Sequence, residues 1–154
     1  MELNFDELKR EIELMLEKTK TMVLATSENN KVTARSICII NDGLDIYFQT
    51  DKNFEKCQQI KANRKVALCI DNFQLEGTAF EIGSPLEPYN SYFQKNFQEK
   101  HNGSFKTYSH LKNETAFKVE PTKITLWKYI DEKPCRDILY NRSESDVRTF
   151  YNMI

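Results

Sequence analysis

One continuous stretch, residues 31–70, constrains the fold most, because its patterns predict a β-hairpin, a short helix and a third strand in immediate succession. In residues 31–40 both alternating sets of side chains are largely apolar, which predicts a strand buried on both faces. The Asn-Asp-Gly sequence at 41–43 is a turn signal between strands. Apolar residues at alternate positions of 44–48 then predict one buried face of the second strand.

A short helix is expected directly after this hairpin. Thr50 or Asp51 is suited to cap its first turn, and Asn63 is expected to end it in the left-handed conformation. Its predicted apolar stripe consists of Phe54, Cys57 and Ile60. The stripe predicts a helix that packs one face on the strands and exposes the other.

Positive charge gathers at the start of this helix. Lys52 and Lys56 lie on its first turn and a half, and Arg35 comes from the strand paired behind it. A helix N-terminus offers backbone N–H groups and the positive end of the helix dipole, both of which favour an anion. A hydroxyl, a helix start and three cations therefore predict a phosphate site.

The order of three segments resembles a known family. RSICII, YFQTDKNFEKCQQIKANRKVALCI and QLEGTAFEIG follow one another as they do in the pyridoxamine 5'-phosphate oxidase-like, FMN-binding split-barrel family, especially its general-stress and nitroimidazole-resistance branches. The resemblance covers roughly residues 20–130. It implies FMN as cofactor and a homodimer with shared flavin sites. Together with six or seven short strands and three helices, it predicts an α+β fold, a six-stranded antiparallel split β-barrel with flanking helices.

The resemblance also indicates which residues contact the flavin. A polar side chain near the start of the strand at 74–83 is implicated, for which Asn72 is the alternative to Gln74, and so is the single tryptophan, Trp127. The residues expected to bind FMN are Arg35, Ser36, Ile37, Gln49, Thr50, Lys52, Lys56, Gln74 and Trp127.

Two departures from the family limit the function that is carried over. The C-terminal arginine–histidine pair that holds the vitamin substrate is not matched, because the corresponding residues 134–138 contain no histidine. Glu55 stands where the family tends to have a second basic residue. We therefore expect no vitamin B6 oxidation and no catalytic side chain, but a flavoprotein oxidoreductase that passes electrons to a small acceptor.

Two alternatives remain at this point. One is a non-catalytic carrier or stress-related sensor that binds FMN, haem or a deazaflavin. The other is a structural barrel without cofactor, in which Arg35 and Lys56 pair with carboxylates.

Composition excludes several classes of function. A length of 154 residues predicts one domain spanning residues 1–154, and a formal net charge of −1 argues against a nucleic-acid partner. The four cysteines are widely spaced and there are two histidines, which predicts reduced thiols, a cytoplasmic location and no metal site. No signal peptide or membrane-spanning run is expected, and hence no membrane partner.

The other elements are predicted from caps and periodicity. Asn4 is expected to cap a helix that ends near Lys18, and Gly77 to mark a bulge or a close backbone approach. Further expectations are a helix that begins at Ser84-Pro85, a loop over residues 104–113, strands over 115–120 and 123–130, and a short helix over 143–151.

Overall fold

The computed structural model describes residues 4–141 and the backbone of residues 146–151. Four α-helices flank one antiparallel sheet of nine strands in this part of the chain. The helices are α1 Phe5–Lys18, α2 Glu55–Ala62, α3 Ser91–Lys100 and α4 Asn102–Tyr108. The strands are β1 Thr21–Glu28, β2 Lys31–Cys38, β3 Ile40–Asp42, β4 Asp45–Asp51, β5 Lys65–Ile70, β6 Phe73–Gly83, β7 Glu114–Ile130, β8 Lys133–Tyr140 and β9 Asp146–Tyr151. None of the helices in the described ranges is both long and apolar enough to cross a membrane.

The sheet is organised around β7, which spans 17 residues. Its first part pairs with β4, its last part with β8, and β6 runs beside it. The strand order is β2-β1-β5-β6-β7-β4-β3, with β8 and β9 attached beyond β7. The predicted α+β split barrel is confirmed, with more strands than the six expected. The two strands predicted over 115–120 and 123–130 form one continuous strand, β7, because the pairing of β7 with β6 continues past Pro121.

Gly77 marks the predicted irregularity in β6. The register between β6 and β7 shifts between Glu76 and Gly77. A Cβ atom at Gly77 would lie 2.6 Å from the carbonyl oxygen of Glu120. The close approach of the two backbones is therefore possible only with glycine.

Two hydrophobic clusters hold the helices on the sheet. In the first, α1 buries Leu8, Ile12 and Leu16 against the barrel, where the rings of Phe48 and Phe117 stack with their centroids 5.2 Å apart. The second lies under α3 and α4 and contains Ile40, Phe93, Phe97, Phe105 and Ala116. Phe93 and Phe97 of α3 are thus core residues, whereas Tyr92 of α3 and Tyr89 of the preceding turn are exposed.

The expectation that residues 31–40 are buried on both faces is wrong. β2 is an edge strand that pairs with β1, and Val32 is 69% exposed. An edge strand of the monomer has no neighbour on one side, whatever its sequence pattern. The prediction of a left-handed helix end is also wrong, because Asn63 is extended at φ −143° and its amide group bonds Ser27 and the backbone of Lys65.

The segment between β6 and β7 differs from its prediction. Ser84 caps a turn rather than a helix, since its Oγ accepts from the backbone N–H of Leu86, and α3 begins at Ser91 after a 3-10 turn at Pro88–Asn90. The side chain of Asn90 stabilises this turn by donating to the carbonyl oxygens of Ile82 and Ser84. Of the loop predicted over residues 104–113, residues 104–108 belong to α4, and residues 109–113 are a turn as expected.

The C-terminal prediction fails as well. Residues 146–151 form β9, which pairs antiparallel with β8, and not part of a helix. The remaining residues of that prediction, 143–145, lie outside the described ranges. The β-branched and aromatic residues of 146–151 suit a strand, and the open edge of β8 supplies the partner.

Candidate FMN site

An open cleft of about 280 Å³ lies between β2 and β4, strands that do not pair with each other within the described residues. The start of α2 borders it, and α3 and α4 cover another side. It is lined by Ser36, Ile37, Cys38, Gln49, Thr50, Asp51, Phe54, Lys56, Phe97, Ser104, Tyr108 and Glu114. A larger cleft of about 440 Å³ over β1, β5 and β6 contains none of the predicted site residues, so we assign it no role in the site.

Five of the nine predicted site residues line the cleft. β2 contributes Ser36 and Ile37, β4 contributes Gln49 and Thr50, and α2 contributes Lys56. The cleft combines the apolar side chain of Ile37 with a buried hydroxyl, an amide and a cation. This mixture is typical of a small-molecule site, which is mostly apolar with a few polar groups that fix orientation.

Arg35 lies behind this group and is held by neutral oxygen atoms. Its guanidinium group donates to the carbonyl oxygen of Leu24 at 3.1 Å, to Thr26 Oγ1 at 2.8 Å and to the hydroxyl of Thr33. Both threonine hydroxyls donate in turn to Oε1 of the buried Gln59 on α2. Burial lowers the pKa of Arg35, and the nearby Glu55 acts in the opposite direction. The network connects β1, β2 and α2 and fixes the position of the charge.

Lys56 is the second cation of the site. Its Nζ lies 5.0 Å from the centre of the Phe54 ring. Its pKa is lowered first by burial and then by the charge of Arg35, so the two cations act on each other. In the part of the chain that the structure describes, no carboxylate oxygen lies within 4.0 Å of either cation. The ion pairs expected of a purely structural barrel therefore do not form there.

The start of α2 is built differently from the prediction. The helix begins after Phe54, and no described side chain caps its first turn. Thr50 still belongs to β4, and Asp51 closes the preceding turn by accepting from the backbone N–H of Asn53 at 2.8 Å. The prediction that Thr50 or Asp51 caps the helix is therefore wrong. A first turn without a capping side chain leaves backbone N–H groups for another acceptor.

Glu114 is a member of the cleft wall that sequence reasoning missed. It is only 6% exposed, and its Oε2 accepts from Nε2 of Gln49 at 2.9 Å. Burial and the nearby Asp51 raise its pKa to about 7, while Lys56 and the bond from Gln49 act in the opposite direction. An acidic residue at the edge of a predicted strand gives no sign of burial. The contact arises only from the pairing of β4 with β7.

The cysteine and histidine side chains near the cleft make other contacts. Cys57 is fully buried, its thiol donates to the carbonyl oxygen of Asp51, and burial raises its pKa to about 11, which disfavours a nucleophilic thiolate. His101 Nε2 lies 2.7 Å from the carbonyl oxygen of Ile39, and His110 packs edge-on against Phe105. No cluster of three or more metal-ligating side chains occurs in residues 4–141.

Three predicted residues are not brought into this cleft. The side chain of Lys52 is exposed ahead of α2. Gln74 and Trp127 lie near the other end of β7, since Gln74 is opposite Thr125. Trp127 is separated from Glu114 by roughly 40 Å along a fully extended strand. The side-chain amide of Asn72 donates to the carbonyl oxygen of Trp127, and the backbone N–H of Trp127 donates to the carbonyl oxygen of Asn72.

Comparison with known proteins identifies the family. A family model described as pyridoxamine 5'-phosphate oxidase matches residues 8–128. The chain belongs to the pyridoxamine 5'-phosphate oxidase family. A search of curated protein sequences found no significant match.

Solved structures share the fold at low sequence identity. General Stress Protein 26 from Bacillus anthracis is 21% identical with a TM-score of 0.64, covering 77% of this chain and 92% of that one. A pyridoxamine 5'-phosphate oxidase-related, FMN-binding protein from Nostoc punctiforme is 15% identical with a TM-score of 0.67 over 100% of both chains. HutZ, described as a heme storage protein from Vibrio cholerae, is 13% identical with a TM-score of 0.63, covering 74% of this chain and 89% of that one. At these identities the likeness establishes the fold alone.

Proposed function

We propose that this member of the pyridoxamine 5'-phosphate oxidase family binds FMN in the cleft and passes electrons from reduced flavin to a small acceptor. The observation that carries the proposal is the pair formed by Arg35 and Lys56. The two cations influence each other, and no described carboxylate forms an ion pair with either one within 4.0 Å, although Glu55 and Glu114 favour their charged forms from a longer distance. Two neighbouring, partly desolvated positive charges are unfavourable unless an anion joins them.

The phosphate of FMN is the anion that fits this position. Lys56 supplies a charge at the cleft wall, Thr50 a buried hydroxyl, and the start of α2 backbone N–H groups. Arg35 adds a charge that its threonine partners hold in place. Lys52 lies outside the wall and is proposed to contribute only long-range attraction.

The remaining wall suits a flat, largely apolar ring. Ile37, Phe97 and Tyr108 offer apolar and aromatic surface, and Ser36 and Gln49 offer hydrogen-bonding groups. A volume of about 280 Å³ is at the lower limit for a ligand of this size, since such sites commonly measure about 300–1,000 Å³. We therefore propose that a second copy of the chain completes the site. Trp127 and Gln74, distant from the cleft in one chain, would reach the flavin from that second copy.

The chemistry requires little from the side chains. Bound FMN supplies hydride and electron transfer, which needs no protein nucleophile. The chain's own residues bind the phosphate, orient the ring and exclude water. The acceptor we propose is a small molecule such as a nitro compound, a quinone or oxygen. Vitamin B6 oxidation is not proposed, because residues 134–138 lack the family's histidine.

Two measurements test the proposal. The purified protein should show or acquire flavin absorbance when titrated with FMN, and it should catalyse oxidation of reduced nicotinamide by at least one acceptor faster than free FMN does. A protein that does not bind FMN would refute the cofactor assignment. Bound FMN without turnover above that of free FMN would refute the enzyme and leave a carrier.

A non-catalytic cofactor carrier is the second candidate function. It is favoured by the shared fold with a protein described as a heme storage protein. The same titration with haem or a deazaflavin distinguishes it, since each gives its own absorbance spectrum. Tighter binding of either than of FMN would favour the carrier of that cofactor.

A further inference from the structure

Glu114 has an unusual position for a carboxyl group that no cation neutralises by direct contact. It is the first residue of β7, lines the cleft and is 6% exposed. Its partner in the sheet register is Asp51, another acidic residue of the cleft wall. Within the described residues, Glu114 forms no ion pair shorter than 4.0 Å. A buried carboxylate without such a partner is costly when charged.

The hydrogen bonds around Glu114 fix its orientation without neutralising it. Ser109 Oγ donates to Oε1 of Gln49 at 2.7 Å, which turns the NH₂ group of Gln49 toward Glu114. The amide is neutral, so it orients the carboxyl group in either protonation state. The chain Ser109–Gln49–Glu114 connects the end of α4, β4 and β7 at one wall of the cleft.

The groups facing Glu114 come from each neighbouring element. Asp51 of β4 opposes its ionisation, and Lys56 of α2 favours it. Tyr108 of α4 and the thiol of Cys38 of β2 also line the cleft. The charge of Lys56 thus lowers the pKa of Glu114 and favours its ionised form. An anion that neutralises Lys56 therefore raises the pKa of Glu114.

We propose that Glu114 couples proton uptake to the binding of an anionic cofactor beside Lys56. This inference rests on the proposed function, because it takes FMN as the anion. When the phosphate neutralises Lys56, the carboxylate of Glu114 loses its favourable charge and takes one proton from solvent, becoming a neutral carboxylic acid. The bond from Gln49 persists in both forms.

In the ligand-free protein, Glu114 can take up or release its proton near neutral pH. The pKa of Glu114 is raised to about 7, so both protonation states are populated. If binding raises that pKa by about one more, linkage predicts uptake of about 0.5 proton per FMN at pH 7.5 and roughly fivefold weaker binding at pH 8.5 than at pH 6.5.

Calorimetric titration with FMN tests the inference without any turnover. At pH 7.5, where the phosphate is almost fully ionised because its second pKa is about 6, binding heats in buffers of different ionisation enthalpy give the number of protons exchanged. Glu114→Gln keeps the shape and the acceptor oxygen, so it should bind FMN with the uptake abolished and with a flatter affinity profile between pH 6.5 and pH 8.5. Glu120→Gln, which removes an exposed carboxylate from the same strand, should behave like the parent.

The outcomes separate the two proposals. Failure of the parent to bind FMN would overturn both the proposed function and this inference. FMN binding with no proton uptake in the parent, or with equal uptake in Glu114→Gln, would overturn the inference alone. The parent's pH profile is an independent measurement, and an affinity that does not fall between pH 6.5 and pH 8.5 would overturn the coupling without reference to any variant.

Discussion

Asp51, the last residue of β4, lies directly opposite Glu114, the first residue of β7, so that two carboxyl groups meet at one corner of the cleft. Like charges at opposed positions of a sheet are destabilising. The fold partly relieves the conflict by burying Glu114, which favours its neutral form. Natural proteins accept such local conflicts mainly at functional sites.

This pair makes stability depend on pH. The folded-state pKa of Glu114, about 7, lies above its ordinary value of 4.5, so the stability that its protonated form contributes is full below about pH 4.5 and is lost as pH rises through about 7. Glutamine does not ionise, so Glu114→Gln removes this loss of stability at higher pH. In urea unfolding we expect the free energy of unfolding of the variant to exceed that of the parent by about 1–3 kcal/mol at pH 8 and to be similar at pH 4.5. An equal difference at both values would contradict the assignment.

Removing either cation of the proposed phosphate site should weaken FMN. A charge-assisted hydrogen bond to phosphate contributes about 1.5–3 kcal/mol, so Arg35→Ala and Lys56→Ala should each raise the Kd about tenfold or more in equilibrium titrations. Riboflavin, which lacks the phosphate, should be much less affected.

Lys52→Ala is the matched control for these two variants. It removes a lysine that is exposed and does not line the cleft, so we expect the Kd to change by less than about twofold because solvent screens the charge. If Arg35→Ala and Lys56→Ala bind FMN as the parent does, the phosphate site lies elsewhere.

Gly77 should tolerate no side chain. The Cβ atom of Gly77→Ala would lie 2.6 Å from the backbone oxygen of Glu120, so β6 and β7 would have to separate. We expect the free energy of unfolding to fall by about 1–3 kcal/mol or more. Gly103→Ala is the control, since nothing lies within 4 Å of its Cβ and alanine favours the helix, giving no loss and a gain of up to about 1 kcal/mol.

The protein should be a homodimer in solution. The cleft is small for FMN, and two of the proposed flavin contacts lie far from it in one chain. Light scattering at micromolar concentration should give twice the mass of the chain, with two-fold symmetry the commonest arrangement. A monomer that still binds FMN tightly would contradict both the dimer and the shared site.

Trp127 should control access to the flavin rather than hold it. Its side chain is 40% exposed in one chain and is therefore available to a second copy. If it forms a wall beside an exposed ring face, Trp127→Ala should alter acceptor turnover more than the Kd for FMN. The carrier function predicts the reverse, because a flavin covered on both faces would lose binding energy without the indole ring. Steady-state assays and FMN titrations of the same preparation measure both.

Features that depend on neighbouring residues were predictable. The turn predicted at 41–43 lies slightly later, at Gly43-Leu44 between β3 and β4, and Leu44, Ile46 and Phe48 are buried as their alternation predicts. Asn4 caps α1, and Gly77 marks the irregular register of β6. For these features the information lies within a few residues of the feature. Ser36, Gln49, Thr50 and Lys56 do line one cleft, but the hairpin from which their grouping was predicted does not form, because β2 pairs with β1 and not with β4.

The sequence by itself determined these local conformations, the antiparallel fold class and the charged start of α2. Only the tertiary structure decided that β2 is an edge, that residues 146–151 pair with β8, and that Glu114 joins the cleft. Gln49 and Glu114 are 65 positions apart, and their hydrogen bond exists because β7 lies beside β4 in one register. Burial and pKa depend on such neighbours in space, and a periodic pattern of side chains does not specify which strand the neighbour is.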